Sequence, residues 1–145
     1  MVRDNAAQWQ AVLKGPGDAR LRPSAGKWSA LEYGCHVRDV LRLYQYRLRL
    51  MLTQEGPLFS DWDQDAAAVA ERYDQQRPVV VADELTEAAE AIAAQFESLA
   101  ADEWDRTGTR SDGAQFTVES FARYFIHDPV HHLYDVTGRS AHQMG

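Results

Sequence analysis

Five histidines occur in this chain of 145 residues, and three of them fall with two carboxylates into one short stretch, His127-Asp128-Pro129-Val130-His131-His132-Leu133-Tyr134-Asp135. Imidazoles and carboxylates are the usual nitrogen and oxygen ligands of zinc-like ions, and the usual groups for moving a proton. The surrounding segment, from Phe121 to Val136, reads as helix, with Thr117 as its N-cap and Gly138 just past its end. On a helix His127 and His131 form an i,i+4 pair, about 40° apart and one turn along, so both can reach one ion. His132 lies roughly 140° from His127 and is expected to stay out of that pair. An isolated pair of this kind is equally read as hydrogen-bonded core histidines of a buried helix. A further histidine far upstream, His36, adds weight to the metal reading.

The element that must position His36 has the clearest helix start in the sequence. Ser29 and Glu32 form a capping box, and Trp28 and Tyr33 occupy the two positions of a hydrophobic staple. The helix is predicted to run to about Thr53, before Gly56-Pro57. One face carries Tyr33, His36, Val40, Leu43, Arg47 and Leu50 or Met51. The other carries Arg38, Arg42, Gln45 and Arg49 and reads as a solvated surface. Glu32 and Asp39 share the face of His36 and either could orient its ring, although Glu32 is more simply the cap. Arg47 is the odd residue on the inward stripe, about 16 Å from His36 along the helix. It is expected to make an interhelical ion pair, to snorkel, or to anchor the anionic group of a bound substrate.

The remaining elements follow from periodicity and breakers. Asp4 to Lys14 reads as a first helix with Ala6, Trp9 and Leu13 on one stripe, ended by Gly15-Pro16-Gly17. Gly56 to Ala82 is a long connection with a short helix of its own, marked by Trp62, Ala66, Val69 and Tyr73 and capped by Asp61. Asp83 caps a third main helix with Leu85, Ala88 or Ala89, Ile92, Phe96 and Leu99 inward, and Trp104 marks its end. Asp105 to Gln115 reads as a loop, and Pro78-Val79-Val80-Val81 is the only β-leaning run, too short and isolated for a sheet. The expectation is an all-α fold: four main helices around one core, forming a single domain over residues 1–145. The long link between the second and third helices can cross the bundle and leave them parallel, giving an up-down-down-up order. In that order the start of the second helix lies beside the middle of the last, and His36 faces His127 and His131.

Composition bounds the partners. With 45% hydrophobic and 26% charged residues the chain is an ordinary globular protein, and its net charge of -7 argues against nucleic acid and anionic membranes as partners. No apolar run approaches the ~20 residues of a membrane span and no segment resembles a signal peptide, which points to the cytoplasm. The lone Cys35 excludes multi-cysteine metal sites within the chain and is expected to be a packing residue. Exposed aromatic residues could support a homodimer.

Two motifs resemble those of the DinB/YfiT-like superfamily: Lys27-Trp28-Ser29-Ala30-Leu31-Glu32 with His36 at the start, and His127-Asp128-Pro129-Val130-His131-His132 at the close. The resemblance extends through the chain in helix order and spacing, including the long second connection. It implies a four-helix bundle of up-down-down-up topology and a divalent metal such as zinc or nickel. It also implies three histidine ligands, which here would be His36, His127 and His131. Relatives include thiol S-transferases and a mycothiol-dependent maleylpyruvate isomerase, so it further implies activation of a low-molecular-weight thiol at the metal. Many members have no assigned reaction.

Pro129 between the two expected ligands lacks an N–H and is expected to kink the helix, or to break it at Asp128. Asp128 and Asp135 are spaced to fix the tautomers of His131 and His132 from behind, or are surface carboxylates. Three neutral imidazoles around a zinc-like ion leave an open position, where a thiol or water loses its proton near neutral pH. The expected function is therefore a metal-dependent transferase, isomerase or hydrolase acting on a small electrophile. Tyr124 would donate a hydrogen bond to the developing charge, or serve only as packing. The alternative is a metal-binding or metal-free helical bundle without catalysis.

Overall fold

The computed structural model describes residues 1–138. Helix α1 (Val2–Lys14) buries Ala6, Trp9 and Leu13, as their i, i+3, i+7 spacing requires. Helix α2 (Ala30–Thr53) starts at the predicted capping box: the Ser29 hydroxyl accepts from the Glu32 N–H, and the Glu32 carboxylate from the Ser29 N–H, each at 3.1 Å. The Trp28 and Tyr33 rings meet edge-on with centroids 5.4 Å apart, closing the staple.

The long connection differs in detail from its expectation. Helix α3 (Gln64–Ala70) is capped by Asp63 rather than Asp61, through two backbone N–H groups at 3.0 Å. It buries none of its residues, and Val69 is exposed; the buried Tyr73 lies beyond it, in a tight 3-10 turn. Helix α4 (Pro78–Glu97) begins at Pro78, before the Asp83 expected as its cap. Proline suits the first helical position, where an N–H has no partner inside the helix. The β-leaning valines are thus the first turn of a helix, with Val81 buried and Val79 and Val80 turned outward. Local β preference yields here to the capture of Val81 by the core.

Where a plain loop was expected, strands β1 (Thr107–Thr109) and β2 (Gln115–Thr117) form a small antiparallel hairpin, with Gly108 opposite Phe116. Thr-Gly-Thr carries no alternation by which to read it. The hairpin is tied to the crossover: the Phe59 N–H donates to the Thr109 carbonyl at 2.8 Å, and the Thr109 N–H to that of Pro57 at 2.9 Å. A Cβ at position 108 would come within 2.5 Å of the Phe59 ring, so glycine is what lets the hairpin close on that buried side chain.

The last helical segment is two helices, α5 (Val118–Tyr124) and α6 (His127–Thr137), separated by a turn at Phe125-Ile126. Thr117 caps α5, and Gly138 ends α6 in the left-handed region at φ 72°, both as expected. Pro129 is therefore not at mid-helix. It lies in the first turn of α6, where its missing N–H costs little.

Side-chain pairs give the helix directions. Arg3 reaches Glu90 and Glu97 at 2.7 and 2.8 Å, whereas Lys14 reaches Asp83 at 2.7 Å, so α1 runs antiparallel to α4. Arg38 lies beside Glu84, and Leu48 and Met51 pack near Phe96 and Leu99, so α2 runs parallel to α4. Tyr44 meets Phe121 and His36 meets His132, so α5–α6 returns antiparallel to α2. The order is up-down-down-up. This packing also corrects the reading of one face of α2, because Arg38 is buried at 4% exposure instead of solvated. Its guanidinium donates to Asp39 at 2.9 Å, Gln76 at 2.6 Å and Glu84 at 3.0 Å. Among the described residues no helix is long and apolar enough to cross a membrane.

Candidate metal centre

The buried face of α6 decides which of its polar side chains look inward. Pro129 and Leu133 are its buried residues. At 100° per residue, Asp128 and His132 project roughly 60–100° from Pro129, along the edge of the core, whereas His127 and His131 project roughly 160° away, toward solvent. The facing stripe of α2 presents His36 to that edge. His36, Asp128 and His132 consequently converge, each with a ligating atom within 4.8 Å of those of the other two.

The geometry around His36 is unusual for a core histidine. The residue is 0% exposed, yet among the described residues neither Nδ1 nor Nε2 has a hydrogen-bond partner. Buried polar groups are nearly always satisfied, so two orphaned nitrogens on one ring require an explanation. Nε2 stands 3.6 Å from Asp128 Oδ2, and the ring meets that of His132 edge-on with centroids 4.8 Å apart. Trp62 stacks on His36 at 5.7 Å and Trp28 tilts against it at 5.6 Å, holding the ring by its faces and not by its nitrogens. The facing His36 imidazole holds the Asp128 carboxyl below its usual range, against its own partial burial. Burial, reinforced by His36, lowers the pKa of His132, so its ring is neutral and able to ligate at pH 7. Asp135 Oδ2 lies 3.1 Å from His132 Nδ1; a neutral ring donating there keeps its lone pair on Nε2.

The sequence pattern of the DinB superfamily matches residues 2–136, from the first residue of α1 almost to the end of α6. The chain belongs to the DinB superfamily. In shape it is similar to YfiT from Bacillus subtilis, which is described as a probable metal-dependent hydrolase with an unusual four-helix bundle topology. The two share a TM-score of 0.83 over 94% of this chain and 80% of the other, at 20% sequence identity, a likeness of fold. No curated protein sequence matches this chain.

This DinB-superfamily chain arranges its expected site residues in a way the spacing alone did not fix. Of the three histidines expected to converge, only His36 lies in the inward group. His127 is exposed at the start of α6, 6.1 Å from the Tyr124 ring. His131 is 67% exposed, with Nε2 3.6 Å from Asp135, and belongs to a second, outer grouping with His132 and Asp135. His132, expected to point away, is the residue that meets His36, and Asp128, expected behind a ligand, stands within the inward group itself. Asp135 lies against both His131 and His132, at 3.6 and 3.1 Å. Asp39 turns to Arg38 and accepts a hydrogen bond from the Tyr73 hydroxyl, on the α4 side. The Tyr124 hydroxyl accepts from Arg110 Nη1 at 3.1 Å.

A cleft of about 330 Å³ opens beside Asp128, with Trp62, Tyr44 and Arg47 on its walls and Arg110-Ser111-Asp112 on its rim. The sequence marks Trp62 only as part of the short helix in the crossover, and the rim only as a loop. The rim hangs on the hairpin, whose attachment to the crossover leaves no local trace in the sequence. The Asp128–His132 pair did leave one. It shares the i,i+4 spacing of His127–His131, and the apolar period Phe125, Pro129, Leu133, Val136 marks its edge of the helix as the inner one.

Proposed function

We propose that this DinB-superfamily chain is a metal-dependent enzyme whose divalent ion is held by His36, Asp128 and His132. It would deliver water or a low-molecular-weight thiol to a small electrophile seated in the adjoining cleft. The observation that carries this reading is the pair of buried ring nitrogens on His36 that make no hydrogen bond among the described residues while facing a second imidazole and a carboxylate. Two imidazoles and one carboxylate suit zinc, nickel and related ions, and such a set leaves coordination positions open. When bound there, the ion would supply Lewis acidity and lower the pKa of the nucleophile. The chain's own contributions are positional: Asp135 sets the His132 tautomer, Trp62 and Trp28 clamp His36, and Asp128 faces the cleft. An ion opening onto a cleft favours a reactive over a purely structural role. The shared fold with YfiT, itself described as a probable hydrolase, supports the same direction.

Metal content after identical dialysis tests the ligand set. His36→Ala, Asp128→Ala and His132→Ala are expected to lose zinc or nickel, whereas His127→Ala and His131→Ala retain it. Retention by Asp128→Ala and His132→Ala together with loss from His127→Ala and His131→Ala would return the site to the three-histidine arrangement implied by the family resemblance. The metal-loaded wild type, given a chromogenic ester with and without a small thiol, then separates hydrolysis from thiol transfer. Loss of both reactions in His36→Ala is the expected outcome. Equal rates in wild type and His36→Ala would remove the catalytic reading.

A further inference from the structure

Among the described residues, Arg47 is the one buried cation on the cleft wall that the fold does not use up. It is 7% exposed, and among the described residues its guanidinium makes a single hydrogen bond, from Nη2 to the Ser60 carbonyl at 3.0 Å. A guanidinium carries five N–H donors, so most of its hydrogen-bonding capacity remains open. Among the described residues no carboxylate forms an ion pair with it. Asp61 accepts instead from the Ser111 hydroxyl, and Asp112 is chelated by Arg110 through two bonds of 2.9 and 2.8 Å. Tyr44 and Phe59 lie 5.8 and 5.2 Å from the guanidinium carbon, contacts that hold the planar group without satisfying its donors. Burial lowers the pKa of Arg47, the mark of a cation short of compensation.

From this we infer that Arg47 is the anchor for the carboxylate of a small, otherwise apolar acid. Its reactive group would lie at the Asp128 end of the same cleft. The inference rests on the metal-centre reading for the reactive end, but not for the anchoring end. A lone planar fork matches the two coplanar oxygens of a carboxylate, whereas a phosphate group ordinarily recruits several cations or a glycine-rich backbone loop. Val40 and Leu43 on the wall between the two ends favour an apolar middle for the molecule. The volume is at the small end of the roughly 300–1,000 Å³ of small-molecule sites, which sets a compact acid above a long peptide or polymer.

Butyrate and its neutral amide, butyramide, serve as probes, titrated by NMR into chelator-treated protein so that no ion can bind the carboxylate. Wild type is expected to bind butyrate with shifts at the Arg47 side-chain N–H, and butyramide at least about tenfold more weakly. Arg47→Met should lose butyrate binding by a similar factor. Arg47→Lys, which keeps the charge but not the fork, should lie between them. Circular dichroism of both variants confirms folding, and Arg47→Lys carries the test should Arg47→Met unfold. Equal binding of acid and amide, or undiminished binding in Arg47→Met, would overturn the anchor. Because the probes are read without metal, a chain that takes up no zinc yet binds butyrate through Arg47 refutes the metal reading alone. A chain that takes up zinc but shows no Arg47-dependent binding refutes this inference alone.

Discussion

Two buried polar residues stand two positions apart on α2 and are treated in opposite ways. Arg38, on the face toward α4, has carboxylates of Asp39 and Glu84 and the amide of Gln76 within hydrogen-bond distance. His36, on the face toward α6, is more deeply buried and has no hydrogen bond at either nitrogen. A fold that can saturate a guanidinium next door does not leave an imidazole bare for want of donors and acceptors. The difference separates polar burial that serves the fold, which is complete in the chain alone, from the polar burial on which the proposed metal site rests.

The comparison breaks first under substitution of each residue by leucine. Arg38→Leu takes the buried guanidinium from Asp39 and Glu84, which keep Tyr73 and Arg42 as partners, and is expected to cost about 2–3 kcal/mol, measured by urea unfolding. His36→Leu removes two unsatisfied atoms and keeps a similar volume, so in chelated protein it is expected to stay within about 1 kcal/mol of wild type. Zinc should then separate them. At a hundred times its dissociation constant it adds about 2.7 kcal/mol to a chain that can bind it, and nothing to His36→Leu. If Arg38→Leu is the milder change, or if zinc stabilises His36→Leu as it does wild type, the distinction fails.

Much of the fold was legible because it is written in local patterns. The capping box at Ser29 and Glu32, the cap at Thr117 and the glycine at 138 each act within one turn, and each stands where the sequence puts it. What was not legible is set by contacts far apart in sequence. The start of α4 moved to Pro78 because the core captures Val81, and Arg38 left the surface because a parallel α4 brings Glu84 alongside. At the candidate site His36 was readable as an inward residue, but its partners depended on the rotation of α6. The same stretch contains two i,i+4 pairs one residue apart, and a shift of one position exchanges them. Local spacing is indifferent to that shift; the burial of Pro129 and Leu133 is not.

An apolar control sharpens the comparison at intermediate size. Phe96 is partly buried, stacked on Phe125 at 5.4 Å and on Trp104 at 6.1 Å. Phe96→Ala is expected to cost about 2 kcal/mol, below the 3–5 of a fully enclosed phenylalanine. Carrying no charge and lying apart from His36, it should cost the same with and without zinc and at every pH where the fold persists. A zinc-dependent cost would mean that the proposed metal centre and the packing beneath α5 are not independent.

The smallest effect concerns the other saturated polar residue of α2. Glu32 is 3% exposed and bound by Arg22 and by the Ser29 N–H. Arg22 chiefly, with the cap hydrogen bonds, holds its carboxyl below the ordinary 4.5, against the opposing pull of burial. A carboxyl depressed in the folded state contributes stability that is fully present above its unfolded pKa and is lost as pH falls through the folded value. Glu32→Gln keeps an acceptor for the cap and loses the ion pair, so it is expected to cost about 1–2 kcal/mol at pH 7. The gap between variant and wild type should narrow as pH falls below 4.5 and close once Glu32 is protonated in both states. Urea midpoints taken from pH 7 down to the acid limit read this directly. A gap that stays constant with pH would assign the loss to packing instead of charge, and Glu32 would then no longer stand beside Arg38 as a saturated ion on α2.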